Sequence, residues 1–171
     1  MGHSVRLFIG SLPSLRPFLA ASPSASVYAL RIADILAVPI SEIVHDELHA
    51  AYGTGDWLEE GALLTSTDLA FAASASRAAP LAYLQTDFFG SEGEQVAMLW
   101  RDGGLALTPM RLSMALMQSR APSFWPVNIA LKGLGVVASP NEDEFTTFGL
   151  GDWRHTEDIV ARARQLAVDR R

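Results

Sequence analysis

Four polar side chains near one predicted turn form the first candidate site. The segment reads Asp87-Phe88-Phe89-Gly90-Ser91-Glu92-Gly93-Glu94-Gln95 and lies between two apolar runs. Paired carboxylates such as Asp87 with Glu92 or Glu94 can divide general acid and general base work between them. Gln95 adds an amide that could bind the same ligand. The alternative is a solvated loop whose acids keep a sheet edge soluble.

A second candidate site stands just before the last predicted helix, at Trp153, Arg154 and His155. His155 is the one histidine that has both an arginine and acids as sequence neighbours. If the fold brought it to the Asp87, Glu92 and Glu94 carboxylates, the chain would be a small-molecule-binding protein or a hydrolase. The simpler interpretation is a helix cap beside a partly buried tryptophan.

His45 and His49 are the candidate metal ligands. Histidines four residues apart share one face of a helix and can bind zinc together. The zinc-protease pattern needs Glu directly after the first histidine, and Asp46 occupies that position. A third ligand would have to come from His155 or an acid. We therefore predict neither a metal nor a cofactor, and interpret both histidines as half-exposed residues of an amphipathic helix.

Other common catalytic patterns are missing from the sequence. The chain contains no cysteine, which excludes disulfides, thiolate nucleophiles and cysteine-based zinc sites. It also contains no GxSxG motif and no glycine-rich phosphate loop that follows a strand. A catalytic role would therefore depend on the Asp87, Glu92 and Glu94 carboxylates with His155, and a binding role is favoured over a catalytic one.

Charge is distributed unevenly along the chain. The formal net charge is −6, and no lysine or arginine occurs between Arg31 and Arg77. That interval is rich in acids, from which we choose Asp56, Glu59 and Glu60 as candidate contact residues. An acidic face suits a basic protein partner, whereas nucleic acid would need a basic surface. The alternative is a solvated surface without a partner.

Length and composition predict one domain that spans residues 1–171. The hydrophobic fraction is 49% and the charged fraction 19%, which are values typical of a globular chain with a real core. No apolar run approaches the ~18 residues needed to cross a bilayer. The first residues lack the charged-then-apolar pattern of a secretory signal, so we expect a cytoplasmic protein that does not bind membranes.

The elements that must position these residues follow from hydrophobic periodicity. Strands are predicted at residues 5–9, 27–31, 35–38, 81–87, 96–100 and 105–108. In the strand at 81–87 both faces are apolar, which predicts a central position with cover on each side. A five-residue hairpin loop is expected at 91–95, and Pro109 is expected to end the last strand.

Helices are predicted between these strands. Ser41 should cap a helix that ends before Gly53, and Thr65 with Asp68 has the spacing of a capping box. Thr156 should cap the last helix, with Glu157 and Asp158 in its first turn. The resulting fold class is α+β, with a mainly antiparallel sheet of about five or six strands and helices packed mostly on one face.

Two sequence features resemble an uncharacterised bacterial protein family. They are the hairpin motif Asp87-Phe88-Phe89-Gly90-x-x-Gly93-x-Gln95 and the late Gly149-Leu150-Gly151 stretch, followed by Arg154-His155-Thr156-Glu157-Asp158. This resemblance implies no reaction. In size, acidity and lack of cysteine the chain is also similar to immunity proteins of bacterial toxin systems, which implies a protein-binding or regulatory module.

Overall fold

One antiparallel sheet organises the chain in the computed structural model, which describes residues 2–58 and 62–168, with the backbone alone for 163–168. Its six strands are β1 (His3–Gly10), β2 (Tyr28–Ala29), β3 (Leu36–Pro39), β4 (Leu81–Phe89), β5 (Glu92–Arg101) and β6 (Gly104–Ser113). They lie in the order β2-β3-β1-β4-β5-β6, and every neighbouring pair is antiparallel. All six predicted strand segments are therefore confirmed as members of one sheet.

Seven α-helices connect or flank the strands within the described residues. They are α1 (Leu12–Ala21), α2 (Glu42–Tyr52), α3 (Ser66–Ala75), α4 (Met114–Gln118), α5 (Pro126–Gly133), α6 (Glu144–Phe148) and α7 (Thr156–Val168). Short 3-10 turns occupy Pro122–Phe124 and Leu150–Asp152. The α+β class is thus the observed one. No described helix is long and apolar enough to cross a membrane.

The central strands have apolar side chains on both faces, and each face has its own core. On β1, Phe8 packs with α1, α2 and α3, whereas its neighbours Leu7 and Ile9 pack with α5, α6 and α7. Successive side chains of a strand point to opposite faces, so these two cores lie on opposite sides of the sheet. Helices consequently cover both faces, and not mostly one as the sequence patterns predicted.

The expected five-residue loop at 91–95 is wrong. β4 and β5 remain paired up to Phe89 and Glu92, so Gly90 and Ser91 alone form the turn. Gly90 has a φ of +66°, which places a glycine at the first central position of a two-residue hairpin, where a positive φ favours glycine. Glu92, Glu94 and Gln95 are therefore strand residues, with side chains fixed by the sheet register.

Pro109 does not end β6, which continues to Ser113. β6 is an edge strand, and its register against β5 shifts between Ala97 and Leu99, opposite the region of Pro109. A proline is tolerated at such a site because an edge or bulged residue has no ladder hydrogen bond to donate. The β5–β6 turn at Asp102 and Gly103 agrees with its prediction, since both residues have positive φ, as in a type I′ turn.

The candidate functional site

Helix α2 carries the first group of candidate residues, and its ends are set by local sequence. The Ser41 hydroxyl accepts a hydrogen bond from the Val44 amide, and Gly53 closes the helix with a φ of +91°. Val44 and Leu48 pack into the core beneath, so His45 and His49 are fixed on one side of the helix, one turn apart. The helix and both of its ends agree with the sequence prediction.

Asp68 reaches the two histidines from the first turn of α3. Thr65 and Asp68 form the predicted capping box, in which Asp68 Oδ2 accepts hydrogen bonds from the Thr65 amide at 2.7 Å and from its hydroxyl at 3.0 Å. The same Oδ2 lies 3.2 Å from His49 Nε2 and 3.6 Å from His45 Nε2. The cap thus aims one carboxylate oxygen at both imidazoles.

These three side chains are almost fully shielded from solvent. The exposed fraction of the side chain is 10% for His45, 12% for His49 and 8% for Asp68. His45 Nε2 has no hydrogen-bond partner, because 3.6 Å to Asp68 is too long for one. Our interpretation of the histidines as half-exposed surface residues is therefore wrong for this pair.

The environment of Asp68 stabilises its charged form. Burial alone raises the pKa of the Asp68 carboxyl, but contacts with His45, Thr65 and His49 outweigh burial and lower that pKa to about 2. The carboxylate is consequently negative at any physiological pH, and it lies against two imidazoles. Within the part of the chain that the structure describes, His45, His49 and Asp68 form a group of three ligand atoms within 4.8 Å of one another.

Trp57 covers this histidine pair. Its ring stacks on His45 at a centroid distance of 5.6 Å and meets His49 edge-on at 6.2 Å. A backbone bridge between Trp57 and Thr65 ties the tryptophan to the start of α3. The other side of the ring faces solvent, since 56% of the residue is exposed.

Exposed acids and apolar side chains adjoin the covered pair. Glu42, Ile43, Asp46 and Asp56 are all exposed. On α2, Glu42 is one helical turn from His45 and Asp46 is one turn from His49, while Ile43 is one turn from Asp46; Asp56 directly precedes Trp57. We call Glu42, Ile43, Asp46, Asp56 and Trp57 the acidic–aromatic surface. Glu59 and Glu60, which the sequence also placed here, lie outside the described residues.

Not every acid between Arg31 and Arg77 contributes to this surface. The Glu47 carboxylate accepts hydrogen bonds from the Ser22 hydroxyl and from both the amide and the hydroxyl of Ser24. These bonds lower the pKa of Glu47 and use its charge to hold the loop after α1. Glu47 and Asp68 are therefore structural acids, whereas Glu42, Asp46 and Asp56 remain directed to solvent.

The carboxylates of the β4–β5 hairpin are brought together as strand neighbours. Asp87 pairs directly with Glu94, and a shallow depression of 340 Å³ is lined by Asp87, Phe89, Glu92, Gly93 and Glu94. Glu94 is engaged by Arg111, whose Nε lies 2.6 Å from its Oε2. Gln95 is buried and accepts a hydrogen bond from the Val127 amide at the start of α5. Gln95 therefore points to the α5 side of the sheet, opposite to its neighbour Glu94.

Trp153, Arg154 and His155 extend the sheet beside β1. The Arg154 carbonyl accepts a hydrogen bond from the Ser4 amide, and His155 forms a bridge with Ser4. Because Ser4 also pairs with Asp87, one strand separates His155 from the carboxylate depression. His155 is not among the described residues that line it. The structure therefore gives this depression no imidazole.

Thr156 has a different role from the predicted cap. Its hydroxyl accepts a hydrogen bond from the Arg6 amide of β1, at 3.0 Å, and Thr156 is the first residue of α7. The capping interaction instead joins the His155 amide to the Asp158 carboxylate. The pairing of β1 with β3 ends at Leu7, so β3 leaves the next amide of β1, that of Arg6, without a pair in the ladder. The Thr156 hydroxyl supplies the hydrogen-bond acceptor that this amide needs.

Comparison with protein-family models, with curated proteins and with solved structures finds no match to this chain. The resemblance to an uncharacterised bacterial family and the likeness to immunity proteins stay predictions. The site residues that sequence reasoning missed are Asp68 as a partner of the histidines and Trp57 as their cover. The capping-box spacing revealed the position of Asp68 on α3, but nothing in the sequence revealed that α3 packs against α2.

Proposed function

We propose that the protein is a protein-binding module that recognises a basic partner through the acidic–aromatic surface. The observation that supports this most is the combination of exposed carboxylates with large exposed apolar side chains. Ile43 is 60% exposed and lies one helical turn from Asp46, and Trp57 is 56% exposed and directly follows Asp56. No arginine or lysine from residue 32 to 76 offsets these charges.

Each component of the surface has a distinct physical role in recognition. Tryptophan is enriched among the residues that dominate binding energy, because it buries a large area and loses little conformational freedom. Exposed ion pairs contribute only ~0–1 kcal/mol each. Glu42, Asp46 and Asp56 are therefore expected to act together as a field that attracts and orients a positively charged partner.

More specifically, we propose that the protein is an immunity protein that neutralises a basic toxin. The acidity, the size and the lack of cysteine support it, since such a protein must bind a cationic enzyme quickly and without redox chemistry. The competing function, a hydrolase that uses Asp87, Glu92 and Glu94 with His155, has weaker support. Its carboxylates lie in a shallow depression away from His155, and Arg111 already pairs with Glu94.

The test begins with a partner captured from the source cell on immobilised protein. Association rates are then measured for the wild type and for the double variant Glu42→Lys/Asp46→Lys. The matched control is Glu142→Lys/Glu157→Lys, which reverses two exposed acids elsewhere, and Glu157, like Glu42, lies in the first turn of a helix. Both variants change the net charge from −6 to −2, because each reversal adds two charges.

The expected result is slower association for Glu42→Lys/Asp46→Lys by several-fold at low salt, with the control close to the wild type. The difference should shrink as salt shortens the Debye length from ~10 Å at 0.1 M to ~3 Å at 1 M. A third variant, Trp57→Ala, should instead accelerate dissociation. Equal rates for both double variants across the salt series, with all proteins folded, would overturn the proposal.

A further inference from the structure

We infer that His45, His49 and Asp68 bind one divalent transition-metal ion of the zinc type. The sequence supplied two histidines with suitable spacing and no third ligand. The fold supplies the third, because the capping box of α3 directs Asp68 Oδ2 to both Nε2 atoms. This site is independent of the proposed partner, and either idea can fail without the other.

The two separations between Asp68 Oδ2 and the histidine nitrogens fit a tetrahedral ion. With metal–ligand bonds of about 2.0–2.1 Å, tetrahedral geometry places neighbouring ligand atoms about 3.3 Å apart. The observed distances from Asp68 Oδ2 are 3.2 Å to His49 Nε2 and 3.6 Å to His45 Nε2. One ligand atom from each of the three residues lies within 4.8 Å of the others, so small side-chain movements suffice to admit an ion between the three groups.

The polar atoms are incompletely satisfied by the protein alone. His45 Nε2 is buried without a hydrogen-bond partner, although buried polar atoms are rarely left so. A metal ion would accept the lone pair of Nε2 from both imidazoles at once.

The choice of metal follows from the ligand types. Two imidazoles and one carboxylate suit zinc and its neighbours, whereas calcium and magnesium prefer oxygen ligands alone. The negative charges of Glu42 and Asp46, one helical turn from the histidines, further favour a cation. Three protein ligands leave a fourth coordination position, which zinc commonly fills with water.

The surrounding contacts hold the ligands before any ion arrives. Thr65 fixes Asp68 through two hydrogen bonds, and the packing of Val44 and Leu48 fixes the helix that carries the histidines. Hydrogen bonds to ligating carboxylates are a usual feature of metal sites, since they orient the ligand. Trp57 stacks on His45 and gives a natural optical reporter of occupancy.

The test uses untagged full-length protein that has been stripped with a chelator, because an oligohistidine tag would itself bind zinc. Titration calorimetry with Zn²⁺ alone should give one ion per chain. His45→Phe and His49→Gln should each weaken binding on the order of 100-fold or more, since each removes one of three protein ligands. The matched control His155→Gln removes an exposed histidine outside the site and should bind like the wild type.

A second measurement has its main readout on the wild-type protein. Co²⁺ added to the wild type should produce the intense visible absorption of a four-coordinate ion and should quench Trp57 emission, and Zn²⁺ should reverse both changes. Trp57→Phe should retain the cobalt absorption but lose the fraction of the fluorescence quenching that comes from Trp57. No binding by the wild type, or equal affinity in the folded His45 and His49 variants, would overturn the inference.

Discussion

At the scale of single residues, His3 shows how burial sets the state of a side chain. Its Nδ1 lies 2.8 Å from the Thr86 hydroxyl, and its Nε2 lies 3.3 Å from the Leu150 carbonyl. A carbonyl can only accept, so Nε2 carries the proton and Nδ1 accepts from Thr86 in the neutral ring. Burial lowers the pKa of His3; the Leu150 carbonyl raises it in part, and nearby His155 lowers it further.

The lowered pKa of His3 predicts that folding stability falls as the pH decreases from about 7 to 5. The unfolded chain, in which this histidine has its ordinary pKa, binds more protons than the folded chain in that interval. The stabilisation that neutral, buried His3 gives to the folded chain is therefore complete above its unfolded pKa of 6.5, and it is lost as the pH falls below that value. Urea unfolding of the wild type and of His3→Gln at both pH values measures this effect.

His3→Gln should flatten the pH dependence, whereas His155→Gln, which removes an exposed imidazole, should retain most of it. Both variants keep His45 and His49, so that pair is the same in the two proteins that are compared. An unchanged slope in His3→Gln would show that His3 titrates alike in the folded and unfolded chain.

At the scale of elements, the sequence predicted positions better than boundaries. The strand at 27–31 is observed only as Tyr28–Ala29, because β2 is an edge strand that pairs with β3 at two residues. The strand at 105–108 is longer than predicted, since a bulge on an edge strand accommodates Pro109. Edge position depends on the strand order, and no local pattern encodes the strand order.

The β4–β5 turn is another boundary that the sequence did not predict, and its two glycines, Gly90 and Gly93, can be compared by substitution. Gly93 has a φ of +138°, and a Cβ there would lie 2.1 Å from the Asp87 carbonyl oxygen. Gly90 also has a positive φ, of +66°, but a Cβ there meets nothing within 4 Å. Gly90→Ala should therefore cost roughly 1–2 kcal/mol of folding stability from backbone strain alone, and Gly93→Ala should cost clearly more.

Urea unfolding of the two alanine variants beside the wild type measures the difference. Gly93→Ala must either move the Asp87 carbonyl or break the local ladder, so its amides near Phe88 should also exchange faster. Equal losses from the two substitutions would mean that the hairpin yields to the added methyl group. In that case, close approach of the strands is not what requires glycine at position 93.

At the scale of the whole molecule, the sequence predicted correctly that both faces of the central strand are covered, but it did not predict that helices form a layer on each face. Residues 81–86 have apolar groups on both faces, and all six are buried as that pattern predicted. Such a strand needs cover on each side, which an arrangement with helices mostly on one face does not provide. The contact between Asp68 and the two histidines depends on this layering too, because α2 and α3 share one layer.

The two layers lead to a prediction about cooperativity, and it tests the expectation that residues 1–171 form a single domain. Phe8 and Leu7 are adjacent on the central strand β1, both are buried, and they belong to opposite cores. Phe8→Ala and Leu7→Ala should each reduce the free energy of unfolding by about 2–5 kcal/mol, through lost apolar contact and the cavity that remains.

Because one sheet supports both layers, each substitution should weaken the whole molecule. In hydrogen exchange, the slowest amides of α2 on one face and of α5 on the other should lose protection by the same amount in each variant. Leu12→Ala, at a residue that is 38% exposed on α1, is the control and should change little. Loss of protection confined to the helices beside the substituted side chain would show that the faces unfold separately, and residues 1–171 would then contain two cooperative units on a shared sheet.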